Sequence, residues 1–223
     1  MKAVVFDLDG TLVDSAPDIH AAARRMLADL GRPPLPLADV TRFIGNGAAK
    51  MVERCLEATG GIDGRIDAGL SAFRRHYAAA PAVLTRPYDG VEGCLAALAA
   101  AGLALGVCTN KPEAPARAVL RGLGLDPYFA AVVGGDSTAA LKPDPLPLRS
   151  CVDRLGTSLD QAVFVGDSET DAETATRAAI RFALFTGGYR KQPVAAFGDV
   201  MAFEHHGALA PRLLALRPAP ADR

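Results

Sequence analysis

Two carboxylates near the start of the chain, Asp7 and Asp9, lie directly behind a short apolar run. The run from Val4 to Phe6 is β-branched and aromatic, which predicts a buried strand. Residues two apart in a strand point to the same side, and Gly10 permits a sharp turn behind the pair. In an open α/β sheet, ligands bind just beyond the carboxyl ends of the strands. The sequence therefore places an acidic pair where such a sheet carries out its chemistry.

Polar residues of other types follow the later predicted strands. Thr109 and Asn110 follow the second strand, Lys142 lies in the loop after the third, and Asp167 and Asp171 follow the fourth. Parallel strands bring their carboxyl ends to one edge of a sheet, so these side chains can share one site. Together they would supply a nucleophile, a second carboxylate, a hydroxyl group, a cation and metal ligands.

This combination suits phosphoryl transfer. A carboxylate that attacks a phosphate dianion meets repulsion of roughly 4 kcal/mol per unit-charge pair at ~4 Å and an effective dielectric constant near 20, so cations must face the phosphate. Mg²⁺ prefers a few carboxylate oxygens, which Asp7 and Asp167 can provide. Covalent catalysis would split one slow hydrolysis into two steps, with Asp9 protonating the leaving alcohol and later activating water. The sequence contains no G-x-x-x-x-G-K-[ST] motif, which excludes a P-loop as the phosphate site.

In this order, the motifs resemble those of the haloacid dehalogenase superfamily of phosphatases, over essentially the whole chain. The resemblance implies that Asp7 is the nucleophile and a magnesium ligand. It also implies that Asp9 is the acid/base and that its backbone carbonyl binds the metal. The segments that carry the resemblance are Asp7-x-Asp9-x-Thr11, Val107-Cys108-Thr109-Asn110-Lys111-Pro112, Leu141-Lys142-Pro143-Asp144-Pro145 and Gly166-Asp167-Ser168-Glu169-Thr170-Asp171.

The same resemblance implies roles for the later residues. Thr109 would hydrogen-bond the phosphoryl oxygens, and Asn110 and Lys142 complete the predicted phosphate-binding set. Asp167 would bind Mg²⁺ directly. Asp171 would belong to the metal site without contacting the ion itself. A calcium loop is the alternative for these acidic residues, but neither Asp7 nor Asp167 is followed by the glycine that an EF-hand needs at its sixth position.

The elements that must position these residues indicate an α/β fold. Alternating strands and helices after about residue 90 predict an open, Rossmann-like parallel sheet with helices on both faces. Helical patterns without period-two alternation between residues 15 and 80 predict an all-helical insert after the first strand, similar to the superfamily's helical cap. We expect a catalytic core at 1–14 and 84–223 and a cap domain at 15–83. The predicted strands cover residues 4–6, 103–108, 131–133, 162–165 and 182–185.

Two local features of the insert lead to specific expectations. Ser15 with Asp18 three residues later predicts a capping box at the start of the first cap helix. Gly45-Asn46-Gly47 has two interpretations that the sequence leaves open. It is either a turn between cap helices or a helix N-terminus whose free N–H groups meet a substrate carboxylate.

Within its subclass, the chain is most similar to the phosphoglycolate phosphatase group. The segments concerned are Asp14-Ser15-Ala16-Pro17-Asp18, Phe43-Ile44-Gly45-Asn46-Gly47, Val133-Gly134-Gly135-Asp136 and Gly187-Gly188-Tyr189. The similarity implies a phosphatase of a small phosphorylated metabolite, first of all 2-phosphoglycolate. A phosphatase of nucleotides, sugar phosphates or pyrophosphate, a sugar phosphomutase, and a non-catalytic binding module are the alternatives.

Length, net charge and cysteine content limit the partners and the compartment that we expect for the protein. With 223 residues and a formal net charge of −1, no overall field attracts nucleic acid or a membrane surface, so we expect neither as a partner. The four cysteines are far apart without a zinc-binding spacing, and no secretory signal is evident, which predicts a cytoplasmic protein. We expect a monomer or homodimer, and a disordered tail at 218–223.

Overall fold

The protein is organised around a central parallel sheet. The computed structural model describes residues 1–216, and in them a six-stranded sheet has the strand order β5-β4-β1-β6-β7-β8. Its strands are β1 (Ala3–Phe6), β4 (Ala104–Cys108), β5 (Ala131–Val133), β6 (Ala162–Gly166), β7 (Arg181–Phe185) and β8 (Met201–Phe203). Two short strands, β2 (Val13–Asp14) and β3 (Arg86–Pro87), form a separate antiparallel pair.

Helices fall into two groups along the chain. Four helices lie between β2 and β3: α1 (Ala16–Asp29), α2 (Leu37–Phe43), α3 (Ala48–Ala58) and α4 (Ile66–Ala79). Within residues 1–216, five follow β3: α5 (Val91–Ala100), α6 (Glu113–Gly122), α7 (Leu146–Arg154), α8 (Glu169–Ala178) and α9 (Leu209–Leu214). Short 3₁₀ turns occur at Asp126–Tyr128, Leu159–Gln161, Val194–Phe197 and His206–Ala208.

Strand β1 is buried along its whole length and has parallel neighbours on both sides. Its side chains alternate between two hydrophobic clusters: Val4 and Phe6 pack on the side of α5, α6 and α9, and Val5 packs on the side of α7 and α8. This alternation is what period two requires of a strand covered on both faces. The predicted α/β fold, with helices on both faces of a parallel sheet, is confirmed.

The four helices α1–α4 bury a third hydrophobic cluster of their own. Met26 and Leu27 of α1 pack there with Leu56 of α3 and Phe73 of α4. An apolar stripe on each helix is thus satisfied within the group rather than against the sheet. This separate cluster is consistent with a cap domain, and its boundaries at 15–83 stay a prediction.

The predicted capping box at the start of α1 is wrong. Ser15 makes no side-chain cap, and its hydroxyl group donates to Asp9 Oδ1 at 2.5 Å. The Asp18 carboxylate instead accepts hydrogen bonds from Leu84 N, at 2.9 Å, and from both N and Oγ1 of Thr85, at 2.8 and 2.7 Å. Asp18 does not cap α1 because the segment that leads back to the core, at Leu84 and Thr85, carries donors that need an acceptor.

The central sheet also has one parallel strand more than the sequence predicted. Strand β8 pairs with β7 through three residues, Ala183↔Met201 to Phe185↔Phe203, and its sequence lacks the β-branched residues that indicated the equally short β5. The tail predicted to be disordered, 218–223, lies outside the described residues. Among residues 1–216, no helix has both the length and the apolar character needed to cross a membrane.

Candidate active site

The predicted site residues meet at the carboxyl edge of the sheet. The register pairs Phe6 with Val107 on one side and with Val165 on the other, so the chain leaves β1, β4 and β6 at one level. Asp7 follows β1 directly, and its N–H donates to Val165 O at 2.9 Å. Sequence separations of more than 100 residues are bridged in this way by strand pairing alone.

Lys142 holds two of the acidic residues. Its ammonium nitrogen lies 2.9 Å from Asp7 Oδ1 and 2.6 Å from Asp171 Oδ1, and the side chain is only 2% exposed. Burial by itself lowers the pKa of Lys142, but the neighbouring Asp171 and Asp7 outweigh burial and raise it above the usual range. The lysine therefore stays protonated and supplies the positive charge beside Asp7.

Asp7 is almost fully buried, and burial raises its pKa to about 7. Although Lys142 is close, among the described residues no group donates a hydrogen bond to Asp7 Oδ1. A buried carboxylate oxygen without such a donor is costly. It is therefore available to another electrophilic partner, either a cation or a phosphorus atom.

Asp7, Asp167 and Asp171 form a cluster whose ligand atoms all lie within 4.8 Å of one another. Burial, and then the charges of Asp171 and Asp7, raise the pKa of Asp167 well above its ordinary value. Three buried carboxyl groups beside one lysine have an excess of negative charge, and oxygen donors are the set that a hard divalent cation prefers. The residues present thus fit a divalent metal ion.

The two late aspartates are held in different ways. Asp167 accepts from Thr11 Oγ1 at 2.7 Å and from Tyr189 N at 2.6 Å. Asp171 forms a capping box with Ser168 at the start of α8, and its Oδ2 accepts from both N and Oγ of that serine. One oxygen of Asp171 is thereby committed to the helix and the other to Lys142, which agrees with an indirect part in metal binding.

The turn after Asp9 requires glycine. Gly10 has a φ of +87°, and a Cβ atom there would lie 2.6 Å from Asp167 Oδ2. A side chain at this position would therefore be strained and would push into the acidic cluster. Glycine at position 10 therefore allows the segment after Asp9 to lie close to Asp167.

Asp9 pairs with a cation of its own, Lys111. Lys111 Nζ lies 2.9 and 3.0 Å from the two Asp9 oxygens and 4.6 Å from the centre of the Tyr77 ring. Burial alone lowers the pKa of Lys111, but Asp9 and Tyr77 raise it above the usual range. Lys111 was not among the predicted site residues. Its place in the second motif, two residues after Thr109, was the available signal.

Thr109 and Asn110 are buried beside Asp7 and Asp9. Thr109 Oγ1 accepts from Lys111 N at 3.3 Å and lines the same cavity as the two aspartates. The amide of Asn110 bonds the backbone of Lys142, donating to its O at 3.0 Å and accepting from its N at 2.9 Å. It also donates to Gly45 O at 3.0 Å. The side chain of Asn110 thus joins three segments, and its part in phosphate binding stays a prediction.

The Gly45-Asn46-Gly47 segment lies against the core. Asn46 Nδ2 donates to Thr170 Oγ1 at 3.2 Å, and Gly47 precedes the first turn of α3. Gly45 and Gly47 have positive φ angles and both line the cavity, whereas Asn46 faces a small neighbouring cleft toward Asp167. Both interpretations of this segment, turn and helix N-terminus, are compatible with its position.

A cavity of about 420 Å³ lies between the helices α1–α4 and the sheet edge. Its polar floor contains Asp7, Asp9, Thr109, Asn110 and Lys111. Its upper wall is largely apolar and is formed by Ile19, Ile44, Ala48, Met51, Phe73, Tyr77 and Ala78. A space of this size with a few convergent polar groups suits a small molecule.

Comparisons with known proteins show which family the sequence resembles. Residues 1–179 match the family model described as haloacid dehalogenase-like hydrolase. The chain is 48% identical over 211 residues to phosphoglycolate phosphatase of Cereibacter sphaeroides (strain ATCC 17029), covering 94% of this chain and 96% of that one. It is 46% identical over 214 residues to phosphoglycolate phosphatase of Rhodospirillum rubrum, covering 93% and 89%.

The fold is also similar to that of a solved structure. The crystal structure of a predicted phosphoglycolate phosphatase from Haemophilus somnus superposes with a TM-score of 0.89 at 30% sequence identity. The superposition covers 96% of this chain and 98% of that one.

Proposed function

The chain belongs to the haloacid dehalogenase-like hydrolases, and from this membership and the geometry of the site we propose that it hydrolyses 2-phosphoglycolate to glycolate and inorganic phosphate. The observation that supports the proposal most is the meeting of Asp7, Asp9, Lys142 and Asp167 at one sheet edge, beneath a cavity suited to a small molecule. Relatives that align over more than nine-tenths of the chain are named for this activity.

In the first half of the proposed reaction, Asp7 is the nucleophile. One of its carboxylate oxygens attacks phosphorus while the bond from phosphorus to the ester oxygen breaks, which leaves the phosphoryl group on Asp7. Lys142 and Thr109 hold the phosphoryl oxygens and offset their negative charge. Asp9 gives its proton to the departing glycolate oxygen.

In the second half, Asp9 acts as the base. It takes a proton from a water molecule as that water attacks the phosphorus on Asp7. Inorganic phosphate leaves, and Asp7 returns as a free carboxylate. The proton that Asp9 lost in the first half is thereby restored, so the cycle balances.

We propose that Mg²⁺ is the metal, held by Asp7, Asp167 and the backbone carbonyl of Asp9, with Asp171 acting indirectly. When bound, it would neutralise charge on the phosphoryl oxygens and on the nucleophile. The buried Asp7, Asp167 and Asp171 cluster supports this assignment.

We also propose that residues 15–83 act as a cap that excludes water from the cavity. A cap of this size favours a small soluble substrate over a phosphorylated protein. The buried free cysteines are in keeping with a reducing compartment, and we propose that the enzyme is cytoplasmic. A monomer or homodimer, without nucleic acid or membrane as partner, stays a prediction.

The test is a phosphate-release assay with Mg²⁺ over a panel of small phosphate compounds. The panel includes 2-phosphoglycolate, nucleoside monophosphates, sugar phosphates and pyrophosphate, ranked by kcat/KM. We expect 2-phosphoglycolate to rank first. A different leading substrate would overturn the proposed specificity, and an isomeric sugar phosphate formed without free phosphate would identify a phosphomutase instead.

A further inference from the structure

Two buried lysines pair with different aspartates of the proposed reaction centre. Lys142 pairs with Asp7 and Asp171, where the phosphoryl group would be held. Lys111 pairs with Asp9 instead, on the side where the leaving group departs in the proposed reaction. Lys142 has a role in the proposed reaction, whereas Lys111 has none so far.

We infer that Lys111 is a specificity-determining residue that binds the carboxylate of the substrate. The inference rests on the proposed function, since it concerns the non-reacting end of 2-phosphoglycolate. In that molecule a single methylene group separates the ester oxygen from the carboxylate. An enzyme that places the ester oxygen beside Asp9 therefore brings the carboxylate within reach of the cation that contacts Asp9.

The surroundings of Lys111 support this role. Its side chain is 7% exposed, and its ammonium group lies between Asp9 and the face of the Tyr77 ring. A charge in such a water-poor place interacts more strongly with an incoming anion than a solvated one does. The ring belongs to α4, so the cap helices and the core together fix the position of the ammonium group.

The other candidates on the cavity wall are weaker. Arg74 also lines the cavity, but it is exposed, and solvent screens an exposed cation. Gly47 and Ala48, at the N-terminus of α3, line the cavity as well and add a partial positive charge. They reinforce binding of an anion here, but they carry no full charge that could replace Lys111.

The contacts of Asp9 with Lys111 and Ser15 make Lys111 selective among anions. Both Asp9 oxygens contact Lys111 Nζ, and Ser15 Oγ donates to Asp9 Oδ1. An incoming carboxylate must share the ammonium group with Asp9, so only a group delivered at the right distance from the phosphoryl end competes well. A neutral group at the same place forms no ion pair with Lys111 and competes poorly with Asp9 for the ammonium group.

The experiment compares two substrates in three proteins. The substrates are 2-phosphoglycolate and 2-phosphoglycolamide, which has nearly the same shape but carries a neutral amide in place of the carboxylate. The proteins are the wild type, Lys111→Met and Lys50→Met. Lys50 is a matched control, because it is an exposed lysine of α3 that pairs with Glu53 and does not line the cavity.

We expect the wild type to favour 2-phosphoglycolate over the amide in kcat/KM by about 10- to 100-fold, the range for a charged hydrogen bond. Lys111→Met should bring this ratio close to one, mainly by raising KM for 2-phosphoglycolate, while Lys50→Met keeps the wild-type ratio. Turnover of the amide by Lys111→Met also shows that the variant is folded.

Three results would count against the inference, and they can be told apart. If Lys111→Met lowers kcat/KM for both substrates by the same factor, the lysine only holds Asp9, and the inference is overturned while the proposed function stands. A wild-type ratio near one overturns it without any variant. If the wild type releases phosphate from other compounds but not from 2-phosphoglycolate, the proposed function itself fails.

Discussion

At the scale of single residues, the site depends on how charge is distributed among buried groups. Asp7 and Asp9 are two residues apart, but each has its own lysine and its own surroundings. Asp7 has an oxygen without a hydrogen-bond donor among the described residues, whereas Asp9 is held by Lys111 and Ser15. In the proposed reaction, this difference would let two identical side chains take different parts.

Replacing Asp7 with Asn should abolish turnover. The amide is a poor nucleophile, and it cannot be phosphorylated as a carboxylate can, so we expect kcat to fall by at least about 10³-fold. Phosphate release from 2-phosphoglycolate measures the effect. Asp153→Asn, the same change at an exposed position of α7, is the control and should keep wild-type activity. Wild-type activity in Asp7→Asn would show that another group attacks the phosphorus.

The residues at strand ends could be predicted from the sequence because strand pairing alone brings them together. Asp7, Thr109 and Asp167 each follow an apolar run, and that pattern is local. Lys111 could not be assigned in the same way. Its partners are Asp9 and the Tyr77 ring of α4, and nothing in the sequence states that α4 packs over this motif.

At the scale of elements, the chain passes between the sheet and α1–α4 through a joint formed by β2 and β3. Strands β2 and β3 pair through two residues each. Asp18 of α1 adds its hydrogen bonds to the backbone of the returning linker. The sequence suggested a helix cap here because Ser15-x-x-Asp18 fits the local pattern, and only the fold shows that linker donors compete for the same carboxylate.

Replacing Asp18 with Ala should therefore destabilise the protein. The N–H groups of Leu84 and Thr85 and the Thr85 hydroxyl group lose their acceptor, and we expect a loss of about 2–4 kcal/mol in the free energy of unfolding. Urea denaturation measures it. Asp29→Ala, at the end of the same helix, removes only the exposed pairs with Arg75 and His76, which solvent screens, so it should destabilise the protein clearly less than Asp18→Ala. Equal effects of the two changes would contradict this account of the joint.

At the scale of the whole molecule, pH should act on stability through His206. The side chain is 1% exposed and packs against the rings of Tyr88, Phe185 and Phe203. Burial, then the charge of His205, lowers the pKa of His206 to about 4. The unfolded chain takes up a proton at the ordinary pKa of about 6.5, whereas the folded chain resists it.

Because the pKa of His206 is lower in the folded chain than in the unfolded chain, acid destabilises the fold. The stability contributed by neutral His206 is fully present above pH 6.5 and is lost as the pH falls toward 4, by about 3 kcal/mol in all. Urea denaturation at several pH values measures this slope. His206→Phe keeps an aromatic ring in place and should flatten it, while an unchanged slope in that variant would assign the effect to other groups.

Removing divalent metal should silence the enzyme without unfolding it. The sheet and its two hydrophobic clusters do not depend on the Asp7, Asp167 and Asp171 group, so EDTA should abolish phosphate release and leave the circular dichroism spectrum unchanged. Added Mg²⁺ should restore activity and raise the melting temperature, because it binds only the folded state. Full activity in excess EDTA would rule out the proposed role of the metal.

The overall architecture was predictable because each βαβ unit shows its own pattern. Strand β8 and His206 were not, since β8 reads Met-Ala-Phe without the β-branched residues of the equally short β5, and a buried histidine looks like any other in the sequence. Their placement depends on the packing of Phe185 and Phe203, which is a property of the assembled fold.

The chain enters the α1–α4 helices after Val13–Asp14 and comes back at Arg86–Pro87, directly alongside. Because departure and return are neighbours, a helical segment of another length or sequence could be spliced between them with little disturbance of the strands. Such an exchange, made with a single cassette, would replace the apolar upper wall of the cavity while Asp7, Asp9 and Lys111 stay in the core.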